Sequence, residues 1–173
     1  MEDKLLIHAC SDGNLMMAEE ILKAGRIDIH ANDEKALRTA TYNGQHNVVE
    51  LLLNYGANVR VWDDEVLMDA SYYNRPNLVE IFLKAGANPN ARGGTALTWA
   101  IVNNNVKILK LLLDSGADIH AKNDYPMNLA SQRGNINLVK LFIDYGADKS
   151  KLDAKATPEM REYIPVNPRC VIF

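Results

Sequence analysis

The sequence predicts an all-α solenoid of five stacked helix-turn-helix units, and three observations carry that prediction. Ala9, Ala40, Ala70, Ala100 and Ala130 recur at steps of 31, 30, 30 and 30 residues, and Gly25, Gly56, Gly86, Gly116 and Gly146 keep the same steps. Between these two markers, a turn position holds only Gly13, Gly44, Asn74, Asn104 and Gly134. Gly and Asn are the residues most at ease at positive φ, so one helix-helix turn conformation is expected throughout. The stretch 95–116, TALTWAIVNNNVKILKLLLDSG, shows the unit at its clearest. Leu97, Ala100 and Ile101 share one helix side, three asparagines interrupt, and Ile108, Leu109, Leu111, Leu112 and Leu113 form an apolar stripe at i, i+3, i+4 spacing. A pair of this size cannot bury its stripe alone, so copies must stack.

Residues 1–31 form the N-terminal capping unit, with helices at about 3–11 and 15–24. Met16, Met17 and Ala18 replace the branched residues of later copies, and Glu19-Glu20 puts charge where the next copy has Glu50-Leu51, as suits an end that meets water. The link Arg26-Ile27-Asp28-Ile29 holds one extra residue and is expected to bulge. Further units run at 32–61, 62–91, 92–121 and 122–150, completing an array over 1–150. Glu50, Glu80, Lys110 and Lys140 share one equivalent position, so stacking predicts a charged column with Glu80 against Lys110 and, beside it, Lys84 against Asp114. Exposed pairs of this kind contribute about 0–1 kcal/mol. After Lys151 the pattern stops. Thr157-Pro158-Glu159 reads as an N-cap with proline in the first turn, opening a capping helix within 151–164 whose Met160 and Tyr163 cover the last apolar stripe. Pro165 and Pro168 end it, and 165–173 is expected to be a flexible tail.

At 173 residues and 47% hydrophobic content, the chain suffices for one array and shows no second composition zone. No apolar run approaches membrane-spanning length, and the N-terminus lacks the charged, apolar, small-residue order of a secretory signal. An intracellular, cytoplasmic location is therefore expected. Cys10 and Cys170 lie at opposite ends of the array and neither belongs to a C-x-x-C pair, which argues against a disulfide framework or a zinc site. The net charge of −3 divides unevenly: residues 1–86 hold 8 basic and 14 acidic side chains, and residues 87–173 hold 11 and 8. The bland reading is a solvated surface; the sharper one is an N-terminal half that faces a basic partner. No dense basic stripe interleaves with aromatics, so nucleic acid is not an expected partner. Gly93-Gly94 lacks a phosphate-cradling pattern, and His8, His30, His46 and His120 do not cluster. No nucleophile-base set is proposed by any spacing, so neither enzyme activity, cofactor nor metal is expected.

The repeat resembles the ankyrin repeat from about residue 4 to residue 149. The matching residues are the G-A-[ND] runs Gly56-Ala57-Asn58, Gly86-Ala87-Asn88, Gly116-Ala117-Asp118 and Gly146-Ala147-Asp148, the pair Asn90-Ala91, T-x-L-x-x-A at 95–100, and V-V-E-L-L-L at 48–53. Two departures stand out. The period is 30 where 33 is usual, which places the missing residues in the finger between units, and the Thr-Pro-Leu-His helix start is mostly lost. The shortened variety is similar to the ankyrin arrays of giant DNA viruses. The resemblance implies short hairpins or loops linking the units, and a monomeric module that binds another protein through finger tips and the exposed ends of the first helices, the concave face of the solenoid.

Applied to this chain, that face takes Tyr42, Tyr72, Tyr73, Asn103 and Arg133 from the helices and Trp62, Asp63 and Asp64 from one tip. Tyr42 and Tyr72, one unit apart, are expected to form with Trp62 an aromatic group rimmed by Asp33, Asp63, Asp64 and Asp69, which suits a basic or amphipathic segment. Trp99 either packs between units or faces the partner, and Trp62 has the alternative of folding back on the neighbouring finger. The residues Cys170-Val171-Ile172-Phe173 spell C-a-a-X, a prenylation sequence whose terminal Phe goes with geranylgeranyl. Lipidation at Cys170 would make the protein a peripheral membrane adaptor, weakly held by a single chain.

Overall fold

A computed structural model describes residues 2–163. Over these residues the chain is helical, without strands: α1 (Glu2–Asp12), α2 (Leu15–Lys23), α3 (Ala31–Asn43), α4 (His46–Asn54), α5 (Val61–Tyr72), α6 (Pro76–Lys84), α7 (Ala91–Val102), α8 (Val106–Asp114), α9 (Ala121–Gln132), α10 (Ile136–Asp144), a 3-10 turn (Lys149–Lys151) and α11 (Pro158–Glu162). Consecutive helices pair, and the first helices α1, α3, α5, α7 and α9 pack one on the next in a single layer. The second helices α2, α4, α6 and α8 form another layer, to which α10 is joined where the Tyr145 hydroxyl donates to Asp114 at 2.7 Å.

The core lies between the layers and is built from equivalent residues. Leu37, Leu67, Leu97 and Met127 descend from the first helices, and Leu52, Phe82, Leu112 and Phe142 rise from the second, all essentially without exposed surface. Each such side chain contributes about 1.5–3 kcal/mol on burial, and because the helices of adjacent units pack on one another around one continuous cluster, no pair holds its core by itself. At the C-terminal end, Leu152, Ala156 and Met160 are buried against α10 and its surroundings. Thr157 caps α11, its Oγ1 accepting the Met160 N–H at 3.3 Å, with Pro158 at the first helical position.

The periodic alanines and glycines have a common physical origin in how the helices stop. At each helix-helix turn, the amide two residues beyond the last helical turn donates back to the alanine carbonyl: Asn14 to Ala9, Gln45 to Ala40, Arg75 to Ala70, Asn105 to Ala100 and Asn135 to Ala130, all at 2.8–3.0 Å. This is the Schellman arrangement, which requires a left-handed residue at the turn. Gly13, Gly44, Asn74, Asn104 and Gly134 all have positive φ. The second helices α4, α6, α8 and α10 end the same way, on Gly56, Gly86, Gly116 and Gly146.

Of the short hairpins or loops that the resemblance implies as links between units, the chain has loops. Each opens on an Asx turn, in which Asp28, Asn58, Asn88 or Asp118 accepts the N–H two residues on at 2.8–3.0 Å. The chain then makes one left-handed turn through Asn32-Asp33-Glu34, Trp62-Asp63-Asp64, Arg92-Gly93-Gly94 and Lys122-Asn123-Asp124, with φ between 48° and 74°. Three residues of left-handed turn replace a β-hairpin, and the array shortens to a 30-residue step. A left-handed L-residue costs about 1–2 kcal/mol, least for Asn and Asp. The central positions Asp33, Asp63, Gly93 and Asn123 are all of the tolerant kind.

The remaining strain is held by tertiary bonds. Asp64 is 1% exposed. Its carboxylate accepts the Arg60 Nε–H at 2.8 Å and, across to the next link, the Asn88 N–H at 3.0 Å. The equivalent pairs are His30 with Glu34, and His120 Nδ1 with Asp124 at 2.5 Å. Where Gly94 leaves no carboxylate, Asn90 takes over: its Oδ1 accepts the Asp118 N–H at 2.7 Å and its Nδ2 donates to the Gly116 carbonyl at 2.9 Å. The predicted charged column is also rearranged. Glu80 pairs within α6 with Lys84 at 2.7 Å, because an i, i+4 neighbour is nearer than the next unit, and Asp114 is taken by Tyr145.

Candidate functional site

On each first helix, four positions at i, i+3, i+4 and i+7 spacing turn away from the core. In α5 they are Glu65, Met68, Asp69 and Tyr72; in α7, Thr95, Thr98, Trp99 and Val102; in α3, Lys35, Arg38, Thr39 and Tyr42. Trp99 lies on this face and is half-buried, equivalent to Asp69 in the unit before.

The aromatic residues form a chain along this face. Tyr42 meets Tyr73 edge to face at 5.4 Å between ring centroids, Tyr73 meets Tyr72 at 4.8 Å, and Tyr72 meets Trp99 at 4.6 Å. The rings thus link α3, α5 and α7, yet Tyr42, Tyr72 and Tyr73 keep 59%, 46% and 39% of their surface exposed. Edge-to-face pairs contribute about 0.5–1.5 kcal/mol beyond area burial, so the rings hold one another in place. Arg75 lies 5.2 Å from the Tyr73 ring.

Trp62 stands apart from this chain. Its ring packs under the Arg38 guanidinium at 3.5 Å, and its carbonyl accepts from Arg92 Nη2 at 2.7 Å, so it is held by charged groups while still exposed. Arg38 was not legible as a site residue from sequence; its equivalents Met68, Thr98 and Asn128 are uncharged, so no repeated signal marks it. Arg38 also pairs with Glu65 at 3.3 Å. The Asp63 carboxylate accepts the Arg92 N–H at 3.1 Å and remains on the surface.

Three of the expected contact residues do structural work. Asp64 does not rim the aromatic group, because its side chain is buried and stitches two links together. Asn103 donates from Nδ2 to the Ser71 and Tyr72 carbonyls at 3.0 and 2.9 Å, and Arg133 donates from Nη2 to the Val102 carbonyl at 3.2 Å. These bonds cap the end of the preceding first helix, as do Gln45 on Ser11 at 3.2 Å and Arg75 on Tyr42 at 2.7 Å and on Thr41. A cation or amide donor at a helix C-terminus satisfies orphan carbonyls and complements the dipole.

Beside Tyr42 lies a shallow cavity of about 210 Å³ lined also by Lys35, Arg38, Thr39, Asn43 and Asp69. Burial pushes the Asp69 carboxyl above its ordinary range, with Glu65 adding to it against Arg38, Arg92 and Arg75. No hydrogen bond reaches this carboxylate from the described residues, so it is an acceptor held ready at the floor of the face.

Among the described residues, no three His, Cys, Asp or Glu side chains converge as a metal site requires, and no helix is long and apolar enough to cross a membrane. Cys10 is fully buried in the first unit, and burial pushes its thiol up to about 12. Cys170 and the expected tail lie outside the described residues.

A family model described as "Ankyrin repeats (3 copies)" matches residues 2–63, 45–123 and 67–153. No curated protein matches the chain. With stacked helix pairs across the same residues and overlapping family matches from 2 to 153, this chain belongs to the ankyrin-repeat family, whose arrays are protein-protein interaction modules.

Proposed function

We propose that the chain is a non-catalytic module that holds a basic segment of another protein on the concave, first-helix face. The observation that carries this reading is the exposed chain of edge-to-face rings from Tyr42 through Tyr73 and Tyr72 to Trp99. Rigid aromatic anchors with polar surroundings are what binding hot spots are made of, and these rings lose little entropy on binding because they already touch one another. The basic character of the partner rests on Asp69 in the cavity beside Tyr42, on Asp33 beside Trp62, and on the acidic balance of residues 1–86. Cavity and rings together present one anchoring patch across α3, α5 and α7.

The test is affinity capture from cell extract with the intact chain and with a Trp62→Ala/Tyr72→Ala double variant, alongside circular dichroism of both. The expected result is an unchanged helical spectrum with capture lost. Equal capture by both proteins would remove the concave face from consideration, and a collapsed spectrum would place the two rings in the core. The other reading, prenylation of Cys170, is carried by the residues Cys170-Val171-Ile172-Phe173 themselves. Intact mass after expression in eukaryotic cells decides it, an added isoprenoid supporting the membrane adaptor and an unmodified mass removing it.

A further inference from the structure

We infer that a proton on His30 latches the first helix pair to the rest of the array, and that its loss lets α1 and α2 open together as pH rises. The Glu34 carboxylate, at the end of the first left-handed turn, is 3% exposed. Its Oε1 is bonded to His30 Nδ1, and its buried Oε2 has no hydrogen-bond partner among the described residues. Asp64, one unit on, is held twice, by Arg60 and by the Asn88 N–H. Glu34 has His30 alone. A buried carboxylate needs a paired charge, and taking the partner away is strongly unfavourable. Arginine keeps its charge throughout the physiological range, whereas histidine loses it near neutrality. His120 and Asp124 repeat the pair at 2.5 Å, but the Asp124 side chain is 15% exposed against 5% for Glu34, so water substitutes there more readily.

The helix pair that this bond secures is packed from one side. Leu5 is exposed, whereas its equivalents Ala36, Val66, Ala96 and Pro126 are buried. Such a unit opens at lower cost than one held between two neighbours, and its opening would uncover Ala36 as Leu5 is uncovered now. The charges around His30 set the direction. On its own link, Asp28 accepts the His30 backbone N–H at 2.9 Å, and Asp33 lies on the same turn as Glu34. Asp3 and Lys4 approach from α1 and Lys35 from α3, while Arg38 and Arg60 are taken by Glu65 and Asp64. The hydrogen bond to Glu34, and then its charge, outweigh burial and raise the His30 pKa, with Asp28 adding to it. The closed joint therefore binds the proton more tightly than the open one. It is fully latched below the ordinary imidazole value of about 6.5 and released as pH rises through the higher folded value.

The test is hydrogen exchange of the full chain, read by mass spectrometry from about pH 6 to about pH 8.5 and divided by the intrinsic exchange rate at each pH. The expected result is a several-fold loss of protection in peptides from α1 and α2, never steeper than about tenfold per pH unit, the limit for one proton, with α5 and α6 unchanged. His30→Arg copies the Arg60 joint and should hold the low-pH protection throughout, whereas His30→Gln should hold the high-pH level. Glu34→Gln removes the charge while keeping the shape, and should flatten the response as well. His8→Gln removes the other titrating pair of this unit, His8 with Asp12 at 3.3 Å, and should leave the response in place. Four results would each overturn the inference: protection independent of pH in the unaltered chain, a response that survives in His30→Arg or Glu34→Gln, one that disappears in His8→Gln, or an equal loss in α5 and α6.

Discussion

Replacing Asp64 measures how much the left-handed links depend on tertiary bonding. In Asp64→Ala the Asn88 N–H loses a charged acceptor in a part-buried setting, a change of about 1.5–3 kcal/mol. The Arg60 contribution is smaller, about 0.5 kcal/mol, because half of that side chain is exposed. Alanine at φ 58 adds about 1 kcal/mol of backbone strain. The sum is roughly 3–4.5 kcal/mol, or on the order of 10 °C in melting temperature for a chain of this size. Asp64→Gly separates the parts: it loses both bonds but relieves the backbone, and should be about 1 kcal/mol more stable than the alanine variant. Asp64→Asn keeps an acceptor and a side chain that tolerates the conformation, and should lose about 1 kcal/mol. Urea denaturation followed by circular dichroism reads all three. If alanine and glycine variants prove equally stable, the left-handed turn is not strained there; if alanine loses less than about 1 kcal/mol, the stitch to Asn88 contributes nothing that water does not.

Three further outcomes follow from the same geometry. The His30 imidazole has its pKa raised, first by its hydrogen bond to Glu34 and then by that carboxylate's charge. Stability from this pair is therefore fully present below the ordinary imidazole value of about 6.5 and fades as pH rises through the higher folded value, and the melting-temperature difference between the protein and His30→Gln should shrink over that interval. Arg75→Met removes the donor to the Thr41 and Tyr42 carbonyls and should cost about 1–2 kcal/mol, with hydrogen exchange quickening at the C-terminal end of α3 before that of α7. Cys10, with its thiol pushed up to about 12 and no exposed surface, should resist alkylation in the native protein and react only when unfolded, as peptide mapping by mass spectrometry will show.

The fold was legible where backbone chemistry leaves few choices. A Schellman stop admits Gly or Asn at one position and brings an alanine carbonyl close to an incoming amide, so both residues recur on the page at the repeat step. The links were not legible in the same way. Glu34, Trp62, Arg92 and Lys122 are poor left-handed residues, and nothing local announces that they adopt φ near 50°–60°. Bonds to residues some 24–30 positions away tie the turns at Trp62 and Arg92 together, and single-sequence periodicity does not contain those bonds. The site divides likewise. Exposed tyrosines at equivalent positions were readable from the register, while Asp64, Asn103 and Arg133 look like surface residues until their bonding partners in the neighbouring unit are known.

Among the described residues, the side-chain caps on the first helices all run one way. Gln45, Arg75, Asn103 and Arg133 each reach back to the unit before, and each unit leaves its own carbonyls for the one after. A block cut from the middle of the array therefore carries both halves of the joint, plug at one end and socket at the other. Copying such a block into the gene would lengthen the protein by 30 residues without inventing a new interface, and an array built this way can change its reach by duplication alone.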